Sequence, residues 1–580
     1  MKRTRPTGRG VDRKLTQRVH EGWGDSDYTD SVISSSSPAR HVRRLVLVVG
    51  LALASFLFGV VPSLAAARSY HGRVTSAAAV RHAAALNPNR GTLSVAARRA
   101  IDRGYLVANQ AAYNRQKERL TRRAARSDAL TGPASGALAP SIGRSFKGIN
   151  NPNVAPPDET SAVGTARYVE LVNSDFAIYS KTSNTQISTG SITSLAGAAS
   201  TDSVFDVQVI WDPTTSRFYY AADDVVSSSN NRVVFGFSKT ASPSGAADFC
   251  NYSIGFGPTF PDFPKLGDSR FFAMIGSNLF NGSGSFLGSD LLAISKPPPG
   301  STCPAASSLK IDDAAPLMIN SSTPAFTPVA TNEIDTNATG FAVARPVSLP
   351  STQLSVFRVT RNAATGNPVI DATGTPVTVP SYNLPANAPQ KGSVNALDTA
   401  DARPTQAVAA VDPAHSGKFA IWTQHTINVG GRAAVRWYEI DPAAHSLLQS
   451  GTASSGSLFE FNGAISPNRQ VNGSTKSGGD SMVLNFNTSS GTTLPAIRMV
   501  SKVGAGAQSG SIAVKRSSGP LSGFDCASAT HVCRWGDYAA ATPDPASANL
   551  IWQVSQFAVG SGSGTSGPAT SRTQNFVATP

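Results

Sequence analysis

The chain has 580 residues, with 50 Gly, 38 Pro and 15% charged side chains, a balance that weighs against a helix-rich protein and for many short strands and turns. The net charge of +14 is unevenly spread: residues 1–130 hold 23 Lys+Arg against 8 Asp+Glu, leaving 27 basic and 28 acidic residues in 131–580. A pI of 9.8 suggests nucleic acid, but this segregation argues against it for the near-neutral remainder, and no nucleic-acid partner is expected.

Residues 1–44 form a basic segment, and Leu45 to Ala67 is a 23-residue stretch without charge, preceded by Arg43-Arg44 and ending in three alanines. Its length suits a transmembrane helix, and its flanks suit a signal peptide. Under the positive-inside rule, residues 1–44 are expected in the cytoplasm and everything after Ala67 outside it, secreted or anchored to the membrane through residues 45–67. Residues 68–130 are rich in Ala and Arg. Apolar residues at roughly helical spacing, from Leu93 to Ala112, predict a long amphipathic helix over Thr92 to Arg126. It is read as a basic, solvated stalk, followed by a linker over 131–144.

From 145 to 560 short alternating strands such as SRFYYAADD, RVVFGFS and KFAIWTQH are separated by Gly, Pro, Asn and Ser clusters. A phrase returns among them: an aspartate, a short apolar strand, and often an Asp-Pro turn. It reads FDVQVIWDP from Phe205, FPDFPKLGD from Phe260, ADARPTQAVAAVDP from Ala400, GDSMVLNFN from Gly479 and WGDYAAATPDP from Trp535. Asp206 and Asp262 are 56 positions apart, Asp480 and Asp537 57, and Asp262 and Asp401 139, which leaves room for a degenerate unit around TGFAVARPV. A propeller blade takes about 40–50 residues, so the prediction is an all-β protein with a six- or seven-bladed β-propeller. Residues 561–580, opening with GSGSGTSG, are read as a flexible tail, although NFVATP has the makings of a last strand.

Four cysteines fit an exported chain. Pairing of Cys526 with Cys533 and of Cys250 with Cys303 is preferred among three connectivities. No paired C-x-x-C motif suggests zinc.

Several phrases resemble uncharacterised secreted bacterial β-propeller proteins, loosely sialidase-like in architecture. They are Pro156-Pro157-Asp158 with Ala162-Val163-Gly164, Tyr168-Val169 and Val172-Asn173; Phe205-Asp206 through Asp212-Pro213; Phe260 through Gly267; and Arg534-Trp535-Gly536-Asp537-Tyr538. Glu159 departs from the small or polar residue expected there. The resemblance implies a propeller and export, and no settled activity.

If each repeated aspartate starts an innermost strand, Asp206, Asp262, Asp401, Asp480 and Asp537 form a ring at one channel mouth, with Asp158 beside them. Such a ring needs a cation or protons, and oxygen ligands suit Ca2+. The competing reading is that each aspartate caps its own turn. Arg534 and Tyr538 flank Asp537 and complete a candidate polar-ligand site. The leading functional expectation is a binding or scaffolding module for glycan or cell-envelope ligands. The alternative is a glycoside hydrolase using two carboxyl groups from this set or Glu439, although no sialidase-type S-x-D-x-G-x-T-W box is present. His415, His425, His445 and His531 lie in no H-E-x-x-H motif, and no G-x-S-x-G elbow occurs. Trp211, Trp422, Trp437, Trp535 and Trp552 are read as core rather than as sugar-stacking platforms.

Overall fold

The computed structural model describes residues 74–76, 106–124, 137–150, 152, 154–469, 478–527, 531–560 and 570–580. Over these the chain is a seven-bladed β-propeller. The innermost strands of blades 1 to 7 are Thr160–Val163, Ser203–Asp212, Phe260–Asp268, Ala325–Ala330, Pro404–Asp412, Phe459–Pro467 and Ala540–Pro543. Each touches the next, and the last touches the first. Successive strands of a blade pair antiparallel toward the outside. The degenerate unit is blade 4, whose second strand Gly340–Pro346 holds most of the TGFAVARPV phrase.

Alternating side chains give each blade two apolar faces, and each pair of neighbouring blades buries its own cluster between them. Phe176 and Ile178 of blade 1 meet Trp211 and Phe218 of blade 2. Trp422 and Trp437 of blade 5 meet Leu484 and Val500 of blade 6. Tyr168 of blade 1 meets Trp552 and Val577 of blade 7, which closes the circle. Trp211, Trp422, Trp437, Trp535 and Trp552 are all buried, as expected of core residues. Blades 3 and 4 approach so closely that a Cβ on Gly267 would stand 2.4 Å from the Ala330 carbonyl carbon.

Two sequence boundaries are corrected. Thr570–Thr579, expected in a flexible tail, is the third strand of blade 7. Ser141–Lys147, which begins inside the expected linker, is that blade's outer strand, paired Ser141 with Thr579 and Phe146 with Asn575. Chain elements more than 400 positions apart therefore close the ring within one sheet.

The expected pairs Cys250–Cys303 and Cys526–Cys533 are both formed, compatible with an oxidising compartment. Leu45 to Ala67 lies outside the described residues; among the described ones no helix is long and apolar enough to cross a membrane. Of the helix expected over Thr92 to Arg126, Gln110–Ala124 is described and helical. It is docked on the propeller rather than standing free as a stalk. Lys117 is 4% exposed and donates to Thr399 Oγ1 at 2.8 Å, Asn387 N–H donates to Thr121 Oγ1 at 3.1 Å, and Leu120 packs on the cluster around Trp535 and Cys533.

Candidate functional site

The innermost strands share an irregularity near their starts. In blades 2, 3, 4 and 6 the register with the second strand slips there. The first slipped residue is left-handed: Asp206 (φ 54°), Phe263 (61°), Thr327 (55°) and Asn462 (52°). Such bulges bend a strand and re-aim its side chains. Asp and Asn tolerate this conformation, whereas Phe and Thr adopt it only where the surroundings enforce it. Thr327 is held on both sides by Asn278, which accepts from the Thr327 N–H at 2.8 Å and donates to its hydroxyl at 3.0 Å. Blade 2 uses the same device, with Asp206 N–H donating to Asn173 Oδ1 at 2.8 Å.

At this end of the channel charged side chains from several blades meet. Asn173 also donates to Asp158 Oδ2 at 2.7 Å, and Asp537 N–H donates to Asp158 Oδ1 at 2.6 Å. These bonds tie blades 7, 1 and 2 together. On the opposite side of the ring Asp401 accepts from Arg403 Nε at 2.8 Å and Arg345 Nη2 at 3.0 Å. Arg403 also lies 3.8 Å from Asp262, while Arg534 pairs with Asp537. Inside the cluster the Lys265 ammonium sits 3.2 Å from the Tyr538 ring centroid and 4.0 Å from that of Phe263. Its Nζ is buried without a hydrogen-bond partner among the described residues.

The shared setting governs protonation. Burial and the neighbouring Asp537 and Asp206 charges push Asp158 well above the ordinary carboxylate range. Burial and Asp537 raise Asp206 to about 6 against the pull of Lys265 and Arg534. Burial also raises Asp262 despite Arg403. Asp401 goes the other way: against the burial penalty, Arg403 and Arg345 hold it at about 2. Burial drives Lys265 well below the usual amine range despite Asp206, Asp158 and Asp537. Burial, with Asp206 and Asp158, raises the Tyr538 phenol.

The structure thus brings Asp206, Asp262, Asp401, Asp537, Arg534 and Tyr538 into one neighbourhood, with Asp158. Asp480 is not part of it. It precedes the second strand of blade 6, where Met482 pairs with Pro467 at the far end of the innermost strand. Asn462 holds the corresponding mouth position in that blade. Nor are the mouth aspartates arranged like the expected Ca2+ ring. Among the described residues, the one group of three His, Cys, Asp or Glu donors within 4.8 Å of one another is Asp412, His415 and Glu439. At the mouth, arginine and lysine meet the carboxylates instead. The turn-capping role falls to the closing aspartates of the repeat: Asp212 accepts from Thr214 N–H and Asp544 from Ala546 N–H, both at 2.8 Å. His425, at the same end of blade 5, bonds the Ala402 carbonyl and the Tyr438 hydroxyl, and burial lowers it to about 3.

Sequence reasoning gave no role to Lys265, Arg345 or Asn173. Lys265 and Asn173 stand inside quoted phrases and Arg345 inside the TGFAVARPV segment, but partners on other blades make them part of the site. Below the mouth the channel narrows to a cavity of about 30 Å3 lined by Ser161, Gln208, Lys265, Asn332, Gln406 and Thr542, room for about one or two waters. The docked segment covers part of the mouth: Arg403 donates to the Leu106 carbonyl at 2.8 Å, and half-buried Tyr113, whose hydroxyl is shielded from solvent, lies within the fields of Asp398, Asp401, Arg403 and Arg534.

No family model and no curated protein matches the chain, so the sialidase-like resemblance finds no support by sequence. Solved structures are similar to it at low identity, three of them as follows. A mutant apocarotenoid oxygenase of Synechocystis is 11% identical over 62% of this chain and 71% of that one, with a TM-score of 0.34. The extracellular domains 1–2 of Drosophila Semaphorin 1b are 8% identical over 76% and 87%, at 0.34. The WD40 domain of SCAP from fission yeast is 10% identical over 73% and 95%, at 0.28. Scores this low carry no argument about function, and the strand order itself establishes the propeller.

Proposed function

We propose that the chain is an exported or membrane-anchored propeller that binds a polar ligand, a glycan or another cell-envelope component, at the channel mouth through Asp206, Asp262, Asp401, Asp537, Arg534 and Tyr538. The observation that carries this reading is the gathering of buried acidic and basic groups from several blades at one end of the axis. The narrow channel beneath them favours a ligand held at the surface over one that enters the ring. Export rests on the uncharged stretch 45–67 and on the two disulfides.

A glycosidase is the second reading. It draws on the raised carboxyl groups of Asp158 and Asp206, which suit a general acid. Tyr538 speaks against a sialidase-type nucleophile, because burial and two nearby aspartates raise its phenol where activation requires the opposite. Asp401 is spoken for by two arginines.

The test uses the full chain on an array of envelope glycans, alongside Arg534→Ala and Asp537→Ala. Saturable binding weakened tenfold or more in both variants is expected. Binding that both variants retain, or none at all, removes the proposal. A panel of aryl glycosides runs in parallel. Turnover abolished by Asp206→Asn or Asp537→Asn would replace the binding reading with the hydrolase.

A further inference from the structure

At the end of the channel opposite the mouth, the closing aspartates of blades 2, 3 and 7 are each met by a buried lysine. Lys296 Nζ lies 3.0 Å from Asp212 and 2.7 Å from Asp268, and Lys181 Nζ lies 2.6 Å from Asp544. Buried carboxylates without such partners are costly. Blade 5 departs from this arrangement. Its closing aspartate, Asp412, is fully buried, and among the described residues no Lys or Arg stands within ion-pair distance of it. It meets a second fully buried carboxylate, Glu439 of the third strand, and the imidazole of His415.

We propose that Asp412, His415 and Glu439 bind a divalent transition-metal ion, Zn2+ first among them, in the place that lysine fills in blades 2, 3 and 7. One donor atom from each residue lies within 4.8 Å of the other two. His415 Nδ1 is 2.6 Å from Asp412 Oδ2 and 3.7 Å from Glu439 Oε2, spacings that bracket the separation of ligands bound about 2.0–2.2 Å from one zinc ion. A second observation points to a missing partner: Glu439 Oε1 is buried with no hydrogen bond among the described residues, while Oε2 accepts from Gln449. One imidazole nitrogen with two carboxylates suits zinc or manganese better than calcium, which favours oxygen alone. The site is preformed on short connections. Pro413–His415 is a single helical turn begun by Asp412, which accepts from the Ala414 N–H, and ended by Ser416 at φ 62°. The His415 side chain is 30% exposed, so the ion has a path in and water can complete its shell. Lys502 is a competing charge whose field reaches both Glu439 and Asp412, but its ammonium is held by the carbonyls of Gly504 and Asp480. All four cysteines are in disulfides, so thiolate does not compete for the metal.

The test is to dialyse the full chain against ZnCl2 and then metal-free buffer, and to measure bound zinc by mass spectrometry and affinity by titration calorimetry. One equivalent per chain is expected, with affinity reduced at least tenfold in His415→Ala and in Glu439→Gln. His531→Ala and Asp537→Asn should retain zinc. Circular dichroism and melting without metal establish that the variants are folded; His415 is surface-accessible and Glu439→Gln is close to isosteric. A parent chain that keeps no zinc, or folded variants that keep as much as the parent, overturns the proposal. Its failure leaves the channel-mouth reading untouched, because the two sites lie at opposite ends of the axis.

Discussion

Asp206 is the residue at which backbone and charge meet. Its left-handed conformation (φ 54°) is one Asn adopts equally well, so Asp206→Asn removes the charge while leaving the bulge intact. Burial and Asp537 raise its carboxyl from 3.8 to about 6. The folded state therefore holds the proton more tightly than the unfolded chain. Its contribution is full below about pH 4 and is lost as pH rises toward 6. Asp206→Asn is expected to flatten this slope and to be more stable than the parent above pH 6, by about 3 kcal/mol. Urea unfolding at pH 4, 5, 6 and 7 checks it; parallel pH dependences in parent and variant would contradict the assignment. The mouth aspartates are legible in the sequence wherever the repeat keeps an Asp beside Phe, as at Asp206 and Asp262. They are illegible in blades 4 and 6, where no Asp stands at the bulge or beside it. Thr327 and Asn462 occupy the same conformation with different chemistry. A Gly-Asp pair before the second strand of blade 6 imitates the phrase, which is why Asp480 reads as a repeat position.

The helix Gln110–Ala124 shows how an element's surroundings escape its periodicity. Its thin apolar stripe and basic residues read as a solvated stalk, yet Lys117 is buried between Thr399 and Asp398, 3.7 Å from the latter. The partners that change its meaning lie nearly 300 positions downstream. Burial lowers the Lys117 amine to about 8 despite Asp398 and Asp401, a sign that desolvation outweighs attraction. An apolar side chain of similar length should therefore dock as well or better, whereas a carboxylate there faces Asp398 and Asp401 at close range. Lys117→Met is expected to keep residues 110–124 protected from hydrogen exchange, and Lys117→Glu to release them, with protection falling tenfold or more. Equal protection in the two variants would mean that the ion pair and its field have no bearing on docking.

At the scale of the whole molecule, ring closure decides stability. A propeller avoids exposed sheet edges only if its last blade is complete, and blade 7 takes three strands from the C-terminal part of the chain and one from residues 141–147. The fold class and the size of the repeat are legible because every blade obeys the same strand periodicity. The closure is not, because the glycine-rich run before Thr570 has the composition of a tail, and pairing between residues 141 and 579 leaves no local trace. The two readings predict opposite results for deletion of residues 570–580. A flexible tail could be removed with no change in melting temperature. In the structure the deletion strips the third strand from blade 7, strands Ser141–Lys147 without a partner, and uncovers Tyr168 and Trp552, whose rings lie 4.9 Å apart beside Val577. It also removes Asn575 and Thr573, which donate to the fully buried Glu170. Apolar burial worth several kcal/mol and the partners of a buried carboxylate go together, against a total stability of about 5–15 kcal/mol for a typical domain. The expected outcome is an aggregating or molten chain with a broad, lowered transition in calorimetry. The conservative Phe576→Ala should lower stability by about 3–5 kcal/mol while leaving the ring closed.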